Sequence, residues 1–373
     1  MFKKLKSIFC LCIIVFSTLF LTAPGSAIEH SGSSSEILLQ DIFNATLDVK
    51  ISETDLSLTK HFSDVEDFKD AAKSNFGDLS DLELAKSLRL LLGESEEVIE
   101  QMPDEIILAS LNYEEVIVQE SYLKMDITGK VELISQQQLE KELNTIQRDN
   151  PSQLLLMSDC DVQAFNTINA EKKHTYTFPN GYMKITTRAS RVAKHTNDET
   201  WLVSGEALWL KDTFWALTDM LTIGSSALYD SDYSNLEYGC KSSYRSCISG
   251  AYGRINHDYN KTTYNTIKKE YTSGCGYSIK SSLLCQLCFA GSYSYGHSYH
   301  TVREDRSHRY FAQYCVNTTG NFNVLVAYGH RRLAVGGVSA SISTSGSGSV
   351  GISFNVGTEA YISQPLLVKP SNY

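Results

Sequence analysis

From about Leu154 to the C-terminus, apolar residues recur at every second position, and this period constrains the fold more than any other feature of the chain. Trp201, Val203, Ala207 and Trp209 share one parity, while Ser204 and Glu206 hold the other. Phe322, Val324, Val326 and Tyr328 repeat the pattern. A period of two sends alternate side chains to opposite faces of a strand. Asn180-Gly181, between His174–Phe178 and Tyr182–Thr187, supplies the positive φ angles of a tight hairpin turn. Short strands parted by Gly, Ser and Asn turns predict a mainly antiparallel β-sandwich over a parallel α/β sheet. A helix is expected to interrupt it at Asp212–Leu221.

Before residue 150 the period is different. Ser63-Asp-Val-Glu66 and Ser80-Asp-Leu-Glu83 each place a Glu three residues after a Ser, the spacing of a capping box. Leu84, Ala85, Leu88, Leu91 and Leu92 then fall on one helical face, and Gly93 ends that helix. Pro103 starts another, from Asp104 to about Leu111. Val116 and Val118, then Val131 and Leu133, alternate around a turn at Asp126–Gly129. Ser135 and Gln138 cap a last helix toward Leu143. The reading is α+β: a small acidic helical module at 41–150, followed by the β-rich domain at 151–373.

Charge divides the chain at the same place. Residues 28–150 carry 27 acidic and 10 basic side chains, a balance of −17, and residues 151–373 carry 16 and 20, a balance of +4. Two arrangements are open: each surface is separately solvated, or the acidic half docks on the basic one. The acidic total and the lack of a dense basic stripe argue against a nucleic-acid partner.

The N-terminus has the form of a secretory signal peptide at 1–27. Lys3, Lys4 and Lys6 precede an apolar run from Ile8 to Leu21, and Gly25-Ser26-Ala27 offers a cleavage site. The run is ~14 residues, short of the roughly 20 of a spanning helix, so no stable membrane span is expected after cleavage. A flexible leader at 28–40 follows. The expected location is extracellular, where disulfides persist.

The run from Leu92 to Glu105, followed by Tyr122–Asp126 and Gly129–Ser135, resembles the N-terminal module of uncharacterised secreted proteins of Gram-positive bacteria. The resemblance covers about 50 residues of the 373. It implies a bacterial extracellular protein and carries no function over to any residue.

Chemistry-bearing residues crowd the middle of the β-rich half. Cys240, Cys247, Cys275, Cys285, Cys288 and Cys315 fall within 76 residues and read as disulfide candidates, with Cys160 apart. Cys285-Gln-Leu-Cys288 lacks the strand–helix context of a redox motif, and no second pair completes a zinc site. Fourteen of the 21 tyrosines lie between Tyr229 and Tyr314, among Ser, Gly and Asn. Tyr pairs a rigid apolar ring with a polar tip, so Tyr293, Tyr295 and Tyr299 are the candidate binding residues. Ordinary cross-strand packing explains the same residues.

His297, His300 and His308, with Glu304 and Asp305, are the weak catalytic candidates, Cys288 being a conceivable nucleophile. Neither HExxH nor GxSxG is present. His330, beside Arg331 and Arg332, reads as a solvated basic turn. No metal and no cofactor is expected.

Near the C-terminus, Val338, Ala340 and Ile342 alternate with serines, Gly346-Ser-Gly348 forms a turn, and Val350, Ile352, Phe354 and Val356 alternate with Gly351, Ser353 and Asn355. Gly336-Gly337 suggests a bulge before the first arm. One face is aliphatic, and the other is uncharged and small. The pattern resembles the insertion hairpins of β-barrel pore-forming toxins. The first arm, Val338–Thr344, spans seven residues, against roughly 9–11 for a membrane strand. That length counts against insertion, and an edge hairpin of a sandwich with its aliphatic side inward is the favoured reading of the same residues.

The sequence thus leads to non-catalytic extracellular binding through Tyr-rich loops, with a cell-wall, glycan or protein partner. Membrane activity through the hairpin is the first alternative, and a hydrolase using the His cluster is the second.

Overall fold

The computed structural model describes residues 34–149 except 78 and 127, and residues 181–211, 218–249, 254–263, 267–271, 274–282, 287–292, 298–331, 339–344 and 349–370. The expected signal peptide, Cys160, the first arm of the 174–187 hairpin and residues 28–33 of the leader lie outside them; residues 34–40, expected to be flexible, are instead the first turns of a helix.

The first half contributes helices α1 (Ser34–Thr46), α2 (Val65–Asn75), α3 (Asp81–Leu91), α4 (Glu96–Ile99), α5 (Asp104–Leu108) and α6 (Gln136–Asp149), with strands β1 (Asp48–Thr54), β2 (Ser57–Ser63), β3 (Glu115–Met125) and β4 (Val131–Ile134). Ser80 caps α3 as its sequence requires: its Oγ accepts from the Glu83 amide, while the Glu83 carboxylate accepts from the Ser80 amide. Gly93 follows at φ +84°, a conformation that a Cβ would strain. Leu84, Ala85, Leu88 and Leu92 are buried as their spacing demands. Ser63 does not cap α2. It ends β2, and Asp64 enters the helix at φ 61° with no side-chain cap. Helix α5 stops at Leu108 and tightens into a 3-10 turn over Ala109–Asn112.

The remaining strands are β5 (Gly181–Lys194), β6 (Glu199–Lys211), β7 (Thr218–Ser225), β8 (Leu228–Tyr229), β9 (Tyr238–Ser249), β10 (Arg254–Thr263), β11 (Ile267–Tyr271), β12 (Gly274–Ser282), β13 (Leu287–Ser292), β14 (Ser298–Thr318), β15 (Phe322–Arg331), β16 (Ala340–Thr344), β17 (Val350–Phe354), β18 (Thr358–Ile362) and β19 (Leu366–Val368). Residues 218–221 are therefore strand where a helix was expected, because Leu221 and Ile223 alternate with Met220 and Thr222 between two partner strands.

Among the described residues all strand pairings are antiparallel. The larger sheet runs β1-β2-β3-β5-β6-β14-β9-β10, with β4 on β3 and with β8 and β13 on β14. The second runs β11-β12-β7-β15-β18, with β19 on β15. β16 and β17 form a two-stranded ladder of their own.

The larger sheet crosses the charge boundary at residue 150 without a break. β3 pairs with β5 from Glu115↔Arg191 to Met125↔Gly181, so both halves share one hydrogen-bonded sheet.

The two large sheets share one core. Trp201, Val203, Ala207, Trp209, Tyr310, Tyr314 and Val316 from the first meet Leu221, Ile223, Val324, Val326, Tyr328 and Tyr361 from the second. The approach is close at Gly205: a Cβ there would lie 2.7 Å from Val326 and 3.0 Å from Ile223. Helices cover the opposite face of the first sheet. Leu202, Cys315, Val116 and Val118 pack with Leu84, Leu88, Phe68 and Phe43, while Phe311 and Cys240 pack with Ile99 and Ile106. The central strands are thus buried on both faces, which is why Ser204 and Glu206 are buried as well.

Candidate functional site

The polar side chains under the helices are matched to one another. Arg89 on α3 is fully buried, and donates to Glu94 at 2.7 Å, to the Ile106 carbonyl at 2.8 Å and to the Tyr113 hydroxyl at 3.1 Å. Burial alone would lower its pKa, but Glu94 and Tyr113 outweigh burial and raise it. Glu206 on β6 takes Arg188 at 3.3 Å and Arg309 on its other side. Burial would raise its pKa, yet Arg309 and Arg188 hold it below the ordinary carboxylate value. Carboxylates of the acidic half also reach cations of the basic half: Glu97 to Arg309 at 3.6 Å, Glu114 and Glu115 to Arg191 at 3.0 and 2.9 Å, and Glu120 to Lys184 at 3.1 Å. The two halves meet through a shared sheet, with ion pairs across the seam. The Glu97–Arg309 pair joins the helical layer to the sheet, and the others are cross-strand pairs between β3 and β5 or at their ends.

A second polar group lies between the sheets. The Tyr328 hydroxyl donates to Asp219, Trp209 Nε1 donates to the Tyr328 oxygen at 3.0 Å, and His330 Nδ1 lies 2.9 Å from Asp219. Asp219, Tyr328 and His330 are completely buried. The expectation of a solvated turn at His330 is thereby corrected: its partner comes from β7 rather than from its basic neighbours in sequence.

Of the residues singled out in the sequence, Tyr293, Tyr295, His297 and Cys285 lie outside the described residues. Tyr299, His300 and His308 occupy β14, with Tyr299 opposite Ala290, His300 opposite Phe289, and His308 opposite Ser243 beside a register shift. Cys247 pairs with Arg303, Cys275 with Ser225, and Cys288 with Thr301. Cys240 and Cys315 are buried free thiols, which corrects their reading as disulfide candidates. The register keeps them apart: Cys240 aligns with Phe311, four residues before Cys315 and so about 13 Å away along β14. A disulfide needs Cα atoms within ~7 Å.

The feature that stands out as a unit is the C-terminal hairpin and the surface beneath it. Ala340 pairs with Phe354, Ile342 with Ile352 and Thr344 with Val350. Ala340, Ile342 and Ile352 are buried, and with Val350 and Phe354 they pack on Met220, Leu325 and Ala327 of β7 and β15. Ser339, Ser341, Ser343 and Ser353 face outward. The aliphatic side is inward, as expected, but the hairpin is not an edge. It lies across the face of the second sheet, and among the described residues its strands ladder only with each other.

Two glycines make that seat. A Cβ on Gly224 of β7 would lie 2.8 Å from Val350 and 3.2 Å from Ile342, and one on Gly329 of β15 would lie 2.5 Å from Phe354. Both sit in strand interiors, where Gly weakens a strand unless another backbone must come close. Beyond β16 and β17, the whole stretch from Leu333 to Thr358, 26 residues, carries no Asp, Glu, Lys, Arg or His, in a chain that is 20% charged. Val356, just after β17, is 96% exposed. The sequence analysis found the alternation but missed Gly224 and Gly329. Their signal was present: each follows an apolar or aromatic core residue within a strand, Ile223 and Tyr328.

Among the described residues no helix is long and apolar enough to cross a membrane, and no group of three His, Cys, Asp or Glu is placed to hold a metal ion. The first statement does not bear on strands. No protein-family model and no curated protein matches the chain.

Proposed function

We propose that this is a secreted, membrane-active protein whose 333–358 segment leaves its seat and enters a lipid bilayer as a β-hairpin. One observation carries the proposal: an uncharged amphipathic hairpin packs on a glycine-lined face through side chains, with no ladder to the sheet beneath it among the described residues. Side-chain packing of a few aliphatic groups is a smaller hold than a hydrogen-bonded ladder with its own packing. Lipid contacts can replace the first, while the second has no substitute in hydrocarbon.

Length sets a condition on this reading. The paired arms are five residues each, and only if they extended through the charge-free flanks to about 13 residues would they reach the roughly 9–11 that a membrane strand takes. Its aliphatic residues would face lipid, and its serines and glycines would face water, as in barrels with polar interiors. We read the two large sheets as a β-sandwich that carries the hairpin on one outer face and the helices on the other. Export through the N-terminal segment belongs to the same proposal, as does contact with a cell surface.

A tether tests it. Gly224→Cys with Ile342→Cys places two thiols where the hairpin meets its seat. Wild type should release dye from phosphatidylcholine vesicles at micromolar protein. The oxidised double variant should not, and a reductant should restore release. No leakage from wild type, or equal leakage from the oxidised variant, would end the proposal.

A further inference from the structure

The ladder between β16 and β17 covers five positions, from Ala340↔Phe354 to Thr344↔Val350. A membrane strand takes roughly 9–11. Entry into a bilayer therefore needs a longer hairpin than the docked one. The pair just beyond the ladder, Ser339 and Asn355, is where that growth is stopped.

In an antiparallel ladder a hydrogen-bonded pair exchanges two main-chain bonds. Ser339 and Asn355 make the first: the Asn355 amide donates to the Ser339 carbonyl at 3.1 Å. The second is diverted. The Ser339 amide donates at 2.9 Å to Oδ1 of the Asn355 side chain, not to the Asn355 main-chain carbonyl. That carbonyl accepts from the Thr358 amide at 3.2 Å and so closes a turn over Asn355–Thr358. Within the turn φ is +82° at Gly357 and is not positive at Val356. This is the pattern of a type II turn, which calls for Gly at its third position.

Thr358 opens β18 opposite Arg331 of β15, and its hydroxyl donates to Asn355 Oδ1 at 3.1 Å. One side chain thus ends the hairpin ladder and ties its open end to the second sheet.

This ending is replaceable. Once the turn opens, the Asn355 carbonyl is free to take the Ser339 amide from its own side chain. One acceptor substitutes for another, and no donor is left bare. Continued in the same register, the arms run over 336–344 and 350–358, about nine positions each, which reaches the length of a membrane strand. Neither stretch carries a charged residue.

We infer that Asn355 sets the length of the hairpin. With its side chain in the ladder the hairpin is short and docked, and with its carbonyl in the ladder the hairpin is long enough to insert. The inference rests on the membrane reading above and names the contact that restrains it.

Substitutions at the turn shift this choice in opposite directions and leave the aliphatic seat untouched. Val356→Pro favours the turn, because Pro presets φ at the second position and is excluded from a strand interior, and Val356 is 96% exposed. Gly357→Val opposes it, because a β-branched residue is strained at φ +82°. Asn355→Ala removes the side-chain acceptor.

Hydrogen exchange on the full-length protein in solution reads the turn. The Ser339 and Thr358 amides should exchange more slowly than wild type in Val356→Pro, and faster by about tenfold or more in Gly357→Val and Asn355→Ala. Phosphatidylcholine vesicles read the insertion. Dye release should be slowed in Val356→Pro and quickened in the other two, with circular dichroism of all three matching wild type.

The inference is overturned if exchange at Ser339 and Thr358 is the same in all four proteins, or if Val356→Pro leaks as fast as wild type. Exchange that shifts as expected beside a wild type that does not leak would end the membrane reading alone, and the exchange of acceptors at Asn355 would stand.

Discussion

Arg188, in the middle of the larger sheet, donates to the carbonyl oxygen of Gly93, the residue that ends α3 in the helical layer. The same guanidinium holds Glu206 on the neighbouring strand, and both side chains are 3% exposed. One cation therefore satisfies the carbonyl just past the helix end and a buried carboxylate together. Arg188→Met should destabilise the protein by about 3–5 kcal/mol, the usual cost of leaving one member of a buried pair behind. Urea unfolding followed by tryptophan fluorescence measures it. A loss well under 1 kcal/mol would show that Arg309 alone suffices for Glu206.

Adding bulk under the hairpin should lift it. In Gly224→Val the new side chain takes space held by Val350 and Ile342. Hydrogen exchange should accelerate by an order of magnitude or more at the amides of β16 and β17, while β15 keeps its protection. Vesicle leakage should become faster than wild type. Unchanged exchange in the hairpin would mean that the sheet, not the hairpin, gives way.

Acid should weaken the larger sheet within a defined window. Burial would raise the pKa of Glu120, but Lys184 and Lys60 overcome it and bring the group from the ordinary 4.5 down to about 2. A carboxylate depressed on folding stabilises the protein fully above its unfolded value, and that share is lost as pH falls through the folded one. Glu206 shifts in the same direction. Unfolding free energy should therefore drop between about pH 4.5 and pH 2, and Glu120→Gln should flatten that slope. A profile that is level across this window would contradict the assignment.

The two thiols under the helices should be inert. Burial pushes Cys240 up to about 12 and raises Cys315 as well, so neither forms a thiolate near neutrality. Iodoacetamide at pH 8 should leave both unmodified in the folded protein and alkylate both in urea, as read by peptide mapping. A Cys240–Cys315 disulfide would refute the register that separates them.

Local signals were legible, and distant partners were not. The Ser80 box and the stop at Gly93 need only a few neighbouring residues, and both formed as read. Ser63 carried the same box and did not cap, because its backbone is held in β2 opposite Asp48. The alternation of β6 gave the right core face, but Ser204 and Glu206 looked like solvent positions. Only the helices above them, with Arg188 and Arg309, make burial tolerable there. His330 was misread for a similar reason: its partner Asp219 lies 111 residues earlier. The hairpin's own pattern was visible, whereas its seat required knowing that β7 and β15 lie side by side.

The ladder from Glu115↔Arg191 to Met125↔Gly181 also decides what a break in the chain would do. A nick between residues 150 and 180 cuts a covalent link that the β3–β5 hydrogen bonds do not need. The two pieces should co-purify as one particle and part only in denaturant. Expressed from separate genes, they offer a split protein whose reassembly reports on this seam.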